Sequence, residues 1–331
     1  MVTPLRVGIV GAGYIARAHA IAYLATPAVD LVAIADTVPA KAGALAETVG
    51  AEPVDGLAAL LARGVQAVSI CTPSPTHADL AVEALEAGLH VLCEKPIARS
   101  LADAERIVAA SAGAPGVLMV GHVSRFEPDH ARAREVVATG GLGEIRMLSQ
   151  SIVSSAPTWS EQGWLLDHGA SGGPLIDLAI HSFDYLAWVC GHQPVRVQAI
   201  AAATVAGPDT YALATLRYAN GAIGAVETSW GHPPAYGFHV ATELNGSGGR
   251  LWWDYDGISA GRMATTGGEI TRFDVLGQRG FQAEIEAFVA AARTGGPSPV
   301  PATEGMLALR TALAAERSIR TGQPVSLAEI E

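Results

Sequence analysis

The stretch RVGIVGAGYIA, residues 6–16, joins a short apolar run to two glycines, Gly11 and Gly13, and a small residue, Ala16. The run has the length of a buried strand, and the Ala-rich residues after it have helical spacing. A strand that passes into a helix through G-x-G-x-x-A is the pattern of a dinucleotide-binding turn. Gly11 permits the tight turn, Gly13 lets backbone approach a pyrophosphate, and Ala16 lets the helix pack close to the sheet. The unpaired N–H groups at the helix start, next to Tyr14 and Ile15, favour an anion. Glycines also serve ordinary turns. The position of this one, after a strand and before a helix, favours the nucleotide.

Outward from that turn, strand-like and helix-like segments alternate to about residue 121. The strand-like runs are 6–10, 31–35, 67–71, 90–93 and 117–121, with helical stretches such as 76–87 and 102–111 between them. Such alternation predicts a parallel sheet of five or six strands, covered on both faces and doubly wound. After residue 122 the pattern changes. A helix is expected over 129–139, a strand over 145–153, an irregular piece over 156–173 and a helix over 174–189. Four or more strand-like runs follow, 195–203, 211–218, 223–229 and 238–244, with turn signals at Asn220-Gly221 and Asn245-Gly246. Helices are expected over 282–294 and 304–320. The chain therefore reads as an α/β dinucleotide-binding domain, 1–122, and an α+β second domain with an antiparallel sheet, 123–331.

Composition narrows the function. The chain has 331 residues, half of them hydrophobic, so it carries enough apolar surface for two cores. Its formal net charge of −11 argues against a nucleic-acid groove or a polybasic membrane patch. No apolar stretch is long and clean enough to span a bilayer, and the N-terminus lacks the layout of a signal peptide. Three scattered cysteines suggest neither a disulfide framework nor a zinc site, and point to a reducing cytoplasm.

Four further groups carry chemistry. Asp36 follows Gly11 by 25 positions, at the end of the second expected strand. A carboxylate there accepts from the adenosine ribose hydroxyls and repels a 2′-phosphate, which favours NAD over NADP. The alternative is a helix N-cap. The segment CTPSPTH, 71–77, lies at the end of another strand, where ligands of such sheets bind. Thr72, Ser74 and His77 read equally as cofactor contacts and as loop structure, with Thr76 capping the next helix and His77 on its surface.

Glu94-Lys95-Pro96 closes the run 90–93. The chain has two lysines, Lys41 and Lys95, against nineteen arginines, so a lysine at a strand end asks for a reason. An ammonium is compact and its pKa is tunable. The competing reading is a solvated Glu-Lys pair. Asp177 and His181 stand at i and i+4, so on one helix they share a face able to handle a hydroxyl and its proton. Helix-stabilising pairing, or a histidine satisfied in a core, is the plain alternative. A metal site is disfavoured because no third ligand stands at a telling spacing. Asp184 either extends that polar face or caps its solvent edge.

Together, GAGYIA, TPxxxH, EKP and DxxxH, in that order, resemble the Gfo/Idh/MocA family of oxidoreductases, and GHVSRFEP at 121–128 and the segment EIEAFVAAARTG look familial too. The resemblance covers essentially the whole chain. It implies an N-terminal Rossmann domain and a C-terminal domain with a large open sheet that mediates homodimers or homotetramers. It also implies a catalytic Lys95, with Asp177 and His181 as its partners. Glu94 and Lys95 join Gly11, Gly13, Tyr14, Ile15, Asp36, Thr72, Ser74 and His77 on the cofactor side. Arg125, Trp159, Trp164 and His168 fall near the substrate by the family's layout. The chain departs from the family at Ser74, where Asn is frequent, at Leu165, where Arg often follows the Trp, and at Ala179, where Gly is common. The implied activity is hydride transfer between a secondary alcohol of a sugar, cyclitol or related polyol, such as inositol, and NAD. The alternatives are an NAD-dependent glycosidase that works by transient oxidation and elimination, and a non-catalytic NAD-binding regulator.

Overall fold

The computed structural model describes residues 3–255, 261–268, 270–273 and 280–330. By internal contacts the chain forms two compact units, Met1–Phe126 with Gln278–Met306, and Glu127–Gly277 with Leu307–Glu331. The first unit is thus discontinuous, whereas the sequence suggested one cut after residue 122.

The first unit alternates strand and helix: β1 (Leu5–Val10), α1 (Tyr14–Ala25), β2 (Val29–Ala35), α2 (Pro39–Val49), β3 (Glu52–Val54), α3 (Gly56–Ala62), β4 (Ala67–Ile70), α4 (His77–Glu86), β5 (His90–Glu94), α5 (Leu101–Gly113) and β6 (Leu118–Gly121). The sheet order is β3-β2-β1-β4-β5-β6 and every pairing is parallel. That is the order of a doubly wound dinucleotide fold, with the topological switch between β1 and β4. β3 escapes sequence reading because it is three residues long, contains Pro53 and is largely exposed. The helices start and stop on local signals. Pro39 opens α2 and Gly50, left-handed at φ 72°, closes it. Ser100 caps α5 by accepting from the Asp103 amide at 3.1 Å.

The segment 280–306 joins this unit through specific contacts. The helix Gly280–Thr294, numbered α10 below, packs on α1, with Gln282 Nε2 donating to Thr26 Oγ1 at 3.1 Å. Arg293 donates to the Ala28 carbonyl at 3.1 Å, and the Val120 amide donates to the Val300 carbonyl at 3.0 Å. Sequence periodicity located this helix but held no signal for where it packs.

The second unit contains α6 (Pro128–Ala138), β7 (Ile145–Val153), α7 (His168–Ser171), α8 (Gly173–Asp177), α9 (Ala179–Cys190), β8 (Pro194–Thr204), β9 (Gly207–Tyr218), β10 (Ile223–Ser229), β11 (His239–Gly246), β12 (Gly249–Tyr255), β13 (Gly261–Thr265), β14 (Ile270–Phe273) and β15 (Val325–Ser326); α11 (Ala302–Thr321) begins in the first unit and runs into the second. Its nine-stranded sheet runs β14-β13-β12-β11-β7-β10-β9-β8-β15. All pairings are antiparallel except β7 with β10, so the sheet is mainly antiparallel, as expected. One face is covered where α8 packs on β9 and α9 on β7 and β10. The turn at Asn220-Gly221 falls where its dipeptide predicts. The Asn245-Gly246 signal misleads. Both residues pair within β11, and the reversal occurs at Ser247-Gly248.

Candidate active site

Three adjacent parallel strands, β1, β4 and β5, deliver their C-terminal ends to one edge of the first unit. Gly11 follows β1 with φ at +95°, and a Cβ there would come within 2.6 Å of the Cys71 carbonyl oxygen. Only glycine meets both conditions. Beside Gly13, by contrast, no heavy atom among the described residues lies within 4 Å of where a Cβ would stand. Helix α1 begins there with no acidic residue in its first turn and no side-chain cap. Its N–H groups and the open space beside Gly13 form a cradle for an anion. Tyr14 is 68% exposed and Ile15 half-buried at the same rim.

Asp36 follows β2. Its Oδ2 accepts from the Ala12 amide at 2.8 Å and its Oδ1 from the Val38 amide at 2.7 Å. The carboxylate is thereby oriented beside the glycine turn, with further lone pairs to offer to ribose hydroxyls. The N-cap position of α2 belongs to Val38, not Asp36. Turn, helix start and carboxylate together fit an adenine dinucleotide.

The loop after β4 differs from expectation. Thr76 occupies the N-cap position of α4 but makes no capping bond; its hydroxyl donates to the Pro73 carbonyl at 2.8 Å and lies 2.7 Å from Thr72 Oγ1. Ser74 is buried, and His77, expected at the surface, is 1% exposed. The His77 ring bridges two backbone carbonyls, Pro96 O at 2.8 Å from Nδ1 and Thr72 O at 2.9 Å from Nε2. Burial pushes its pKa down and outweighs the two carbonyls, which favour a second proton. His77 therefore ties the loop after β4 to the segment after β5.

Glu94 ends β5 and is buried. Its Oε1 lies 3.0 Å from His19 Nε2, and its Oε2 accepts from the Lys95 amide at 3.1 Å. Burial raises its pKa, but the His19 hydrogen bond and the charges of His19, Lys95 and His77 hold it below the ordinary carboxyl value. Lys95 follows at the strand end, half-buried, and its peptide bond to Pro96 is cis. His19 and Glu284 complete a buried group with Glu94, their ligand-type atoms all within 4.8 Å of one another. Neither was singled out from the sequence. His19 lies five residues beyond Tyr14 on the inward face of a helix, a position whose polar residue is a signal in itself.

In the second unit, the expected continuous helix over 174–189 is two helices. Asp177 ends α8, Leu178 breaks the run at φ −101° and ψ −51°, and the His181 amide bonds back to the Leu178 carbonyl at 3.2 Å. Asp177 and His181 are both half-buried, flanking a three-residue bond rather than facing from one regular helix. Asp184 is 2% exposed, which removes it from any solvent edge. Trp164 packs against the cluster of Ile152, Leu165, Leu178, Trp230 and Val240. Trp159 and His168 are exposed. Arg125, in the first unit, is 6% exposed and ion-paired to Glu304.

Fold, glycine cradle and Asp36 define a dinucleotide-binding protein of the Rossmann type. Comparison with known proteins narrows the class. Residues 5–122 match the family described as an oxidoreductase family with an NAD-binding Rossmann fold, and residues 130–252 match the GFO/IDH/MocA C-terminal domain. The inositol 2-dehydrogenase of Rhizobium meliloti (strain 1021) is 33% identical over 98% of this chain and 99% of its own length. The D-glucoside 3-dehydrogenase of Escherichia coli (strain K12) is 34% identical over 69% of this chain and 71% of its own. Among solved structures, GenD2 from gentamicin A biosynthesis, in complex with NAD, superposes with a TM-score of 0.85 at 26% identity, covering 98% of this chain and 97% of that one. The chain belongs to the Gfo/Idh/MocA family and is an NAD-binding oxidoreductase. Among the described residues, no helix is long and apolar enough to cross a membrane.

Proposed function

We propose that the protein catalyses the reversible, NAD-dependent oxidation of a secondary alcohol on a cyclitol, sugar or related polyol. The observation that carries this reading is Lys95 at the end of β5, one strand from the β1–β4 switch where the glycine cradle lies. Relatives named as inositol and glucoside dehydrogenases supply the substrate class. In this reading Gly11, Gly13, Tyr14 and Ile15 hold the pyrophosphate, Asp36 holds the adenosine ribose, and Thr72 and Ser74 line the nicotinamide side. His77 and Glu94 shape the loops that frame it.

NAD, when bound, supplies the hydride acceptor. The protein's own residues manage the alcohol. Lys95 donates a hydrogen bond to the reacting oxygen and stabilises the negative charge that develops there. His181 takes the hydroxyl proton as general base. Asp177 holds a neighbouring hydroxyl or orients the imidazole. Of the residues that the family's layout places near the substrate, Trp159 and His168 are exposed. Arg125 and Trp164 are engaged in the ion pair and cluster described above.

Assembly and location extend the same reading. The open face of the nine-stranded sheet exposes Ile200, Leu213 and Ile223 at 64%, 44% and 43%. A second copy of the chain, in a homodimer or homotetramer, would cover such a face. Free Cys71, Cys93 and Cys190 suit a reducing cytoplasm.

A panel of cyclitols, aldoses and glucosides, assayed for NADH with NAD and for NADPH with NADP, tests the proposal. The expected result is net NADH from at least one cyclitol or glucoside, weaker turnover with NADP, and loss of both in Lys95→Ala and His181→Ala. Unchanged rates in those two variants would contradict it. Sugar release from an aryl glucoside without net NADH would favour elimination chemistry instead.

A further inference from the structure

The first unit holds a buried polar chain in which the proposed mechanism leaves His19 without a task. His19, on α1, is 0% exposed. Its Nδ1 lies 3.2 Å from Ser69 Oγ on β4, and Tyr23 OH lies 2.8 Å from the same oxygen. Its Nε2 lies 3.0 Å from Glu94 Oε1 on β5, and Glu94 Oε2 accepts from the Lys95 amide at 3.1 Å. One assignment of hydrogens satisfies the whole set. Tyr23 donates to Ser69, Ser69 donates to Nδ1, and Nε2–H donates to Glu94. Burial raises the Tyr23 pKa, so the phenol stays a donor. Cys71 Sγ, 3.5 Å from Nδ1, and Glu284 Oε2, 4.0 Å from Nε2, complete the surroundings.

A second feature shows that the Glu94 carboxylate has a fitted slot. Gly121 pairs with Glu94 across β5 and β6. A Cβ at Gly121 would stand 2.9 Å from Glu94 Oε1 and 3.3 Å from Glu94 Cα. Glycine leaves the space that the carboxylate fills. Stability alone does not call for this arrangement. A buried hydrogen-bonded pair is often replaced by apolar side chains of similar shape at little loss, and the other inward residues of α1 include Ala16, Ala20 and Ala22. What the chain of bonds adds is position, because it ends on the backbone of Lys95.

We infer that His19 is a positioning residue: acting through Glu94, it fixes the backbone of Lys95 and so aims the ammonium at the reacting oxygen. The inference rests on the reading of Lys95 given above. His19 touches neither substrate nor cofactor in this account. Its loss should therefore slow turnover while leaving cofactor affinity in place.

The test compares His19→Leu, His19→Gln, Lys95→Ala and the double variant His19→Leu/Lys95→Ala. The readouts are kcat and KM on the best substrate of the panel, NADH affinity by fluorescence, and the melting temperature. A misplacement of about 1 Å costs roughly a hundredfold, so His19→Leu should lower kcat by about that factor with KM and NADH affinity nearly unchanged. Gln offers an N–H toward Glu94 and should recover about tenfold of the loss, since one bond to a charged acceptor is worth that much. In the Lys95→Ala background, His19→Leu should add nothing to the loss, because the two act through one group. Equal losses in both backgrounds, no rescue by Gln, or a fall in NADH affinity as large as the fall in kcat would overturn the inference. Should the Leu variant fail to fold, His19→Asn, whose amide is too short to reach Glu94, takes its place. Wild-type turnover in Lys95→Ala would withdraw the Lys95 reading and the inference with it. A slow Lys95→Ala beside a fully active His19→Leu would withdraw the inference alone.

Discussion

The two sheets keep their polar chemistry in different places. In the six-stranded sheet, β4 and β6 are buried at every residue and β5 at all but its first. A parallel sheet with helices on both faces leaves only strand ends for function. Gly11, Asp36, the 72–77 loop and Lys95 all stand at such ends. In the nine-stranded sheet, burial alternates along β9, with Ala212, Ala214, Leu216 and Tyr218 inward and Leu213, Thr215 and Arg217 outward. One face is a core, and the other is a broad surface. The first arrangement gathers groups at strand ends, whereas the second spreads them over an area.

That contrast predicts a ranking of mutational effects. Removing the edge cation should matter most: Lys95→Ala lowers kcat/KM by about three orders of magnitude, the upper range for a group acting on a proton or developing charge. Steady-state kinetics would check it. His181→Ala follows, with a loss of about a hundredfold that is smaller at high pH, where hydroxide partly replaces the base. Asp36→Ala should weaken NAD binding by about tenfold and narrow the preference over NADP, as expected for hydrogen bonds to a charged acceptor. Titration calorimetry with both cofactors measures this directly.

On the open face, Leu213→Asp should leave the fold within about 0.5 kcal/mol of wild type, as exposed substitutions do, yet weaken self-association in sedimentation experiments. An unchanged oligomer would move the interface elsewhere. The smallest effect concerns His77. Its folded pKa lies below the ordinary value of 6.5, so the unfolded chain takes up the proton first as pH falls. Stability is therefore lost from about pH 6.5 downward, until the folded pKa is passed. His77→Gln should melt lower at neutral pH but show a flatter decline toward acid. A parallel decline in both proteins would assign the acid sensitivity to other groups.

The contrast between the sheets also explains what the sequence made legible. Strand ends leave local marks: the places of the GAGYIA turn after β1, of Asp36 after β2 and of Lys95 after β5 were readable because a turn, a spacing or a short apolar run announces itself. The open sheet was readable only as class, from turn signals and alternation, and the Asn245-Gly246 signal placed its reversal two residues early. His19 was missed because its meaning depends on Ser69 and Glu94, 50 and 75 residues away. No local pattern carries that distance. The same holds for Glu284 and for the return of α10 to the first unit. The helix break at Leu178 was missed because Pro174 to Val189 has unbroken apolar spacing.

The central proposal is that Lys95 and His181 act on one substrate oxygen. A crystal structure with NADH and the best polyol of the panel tests it most directly. The account predicts Lys95 Nζ and one His181 ring nitrogen each about 3 Å from the oxygen on the carbon that faces the nicotinamide. Either nitrogen standing beyond hydrogen-bond reach of that oxygen, with no water between, would contradict it.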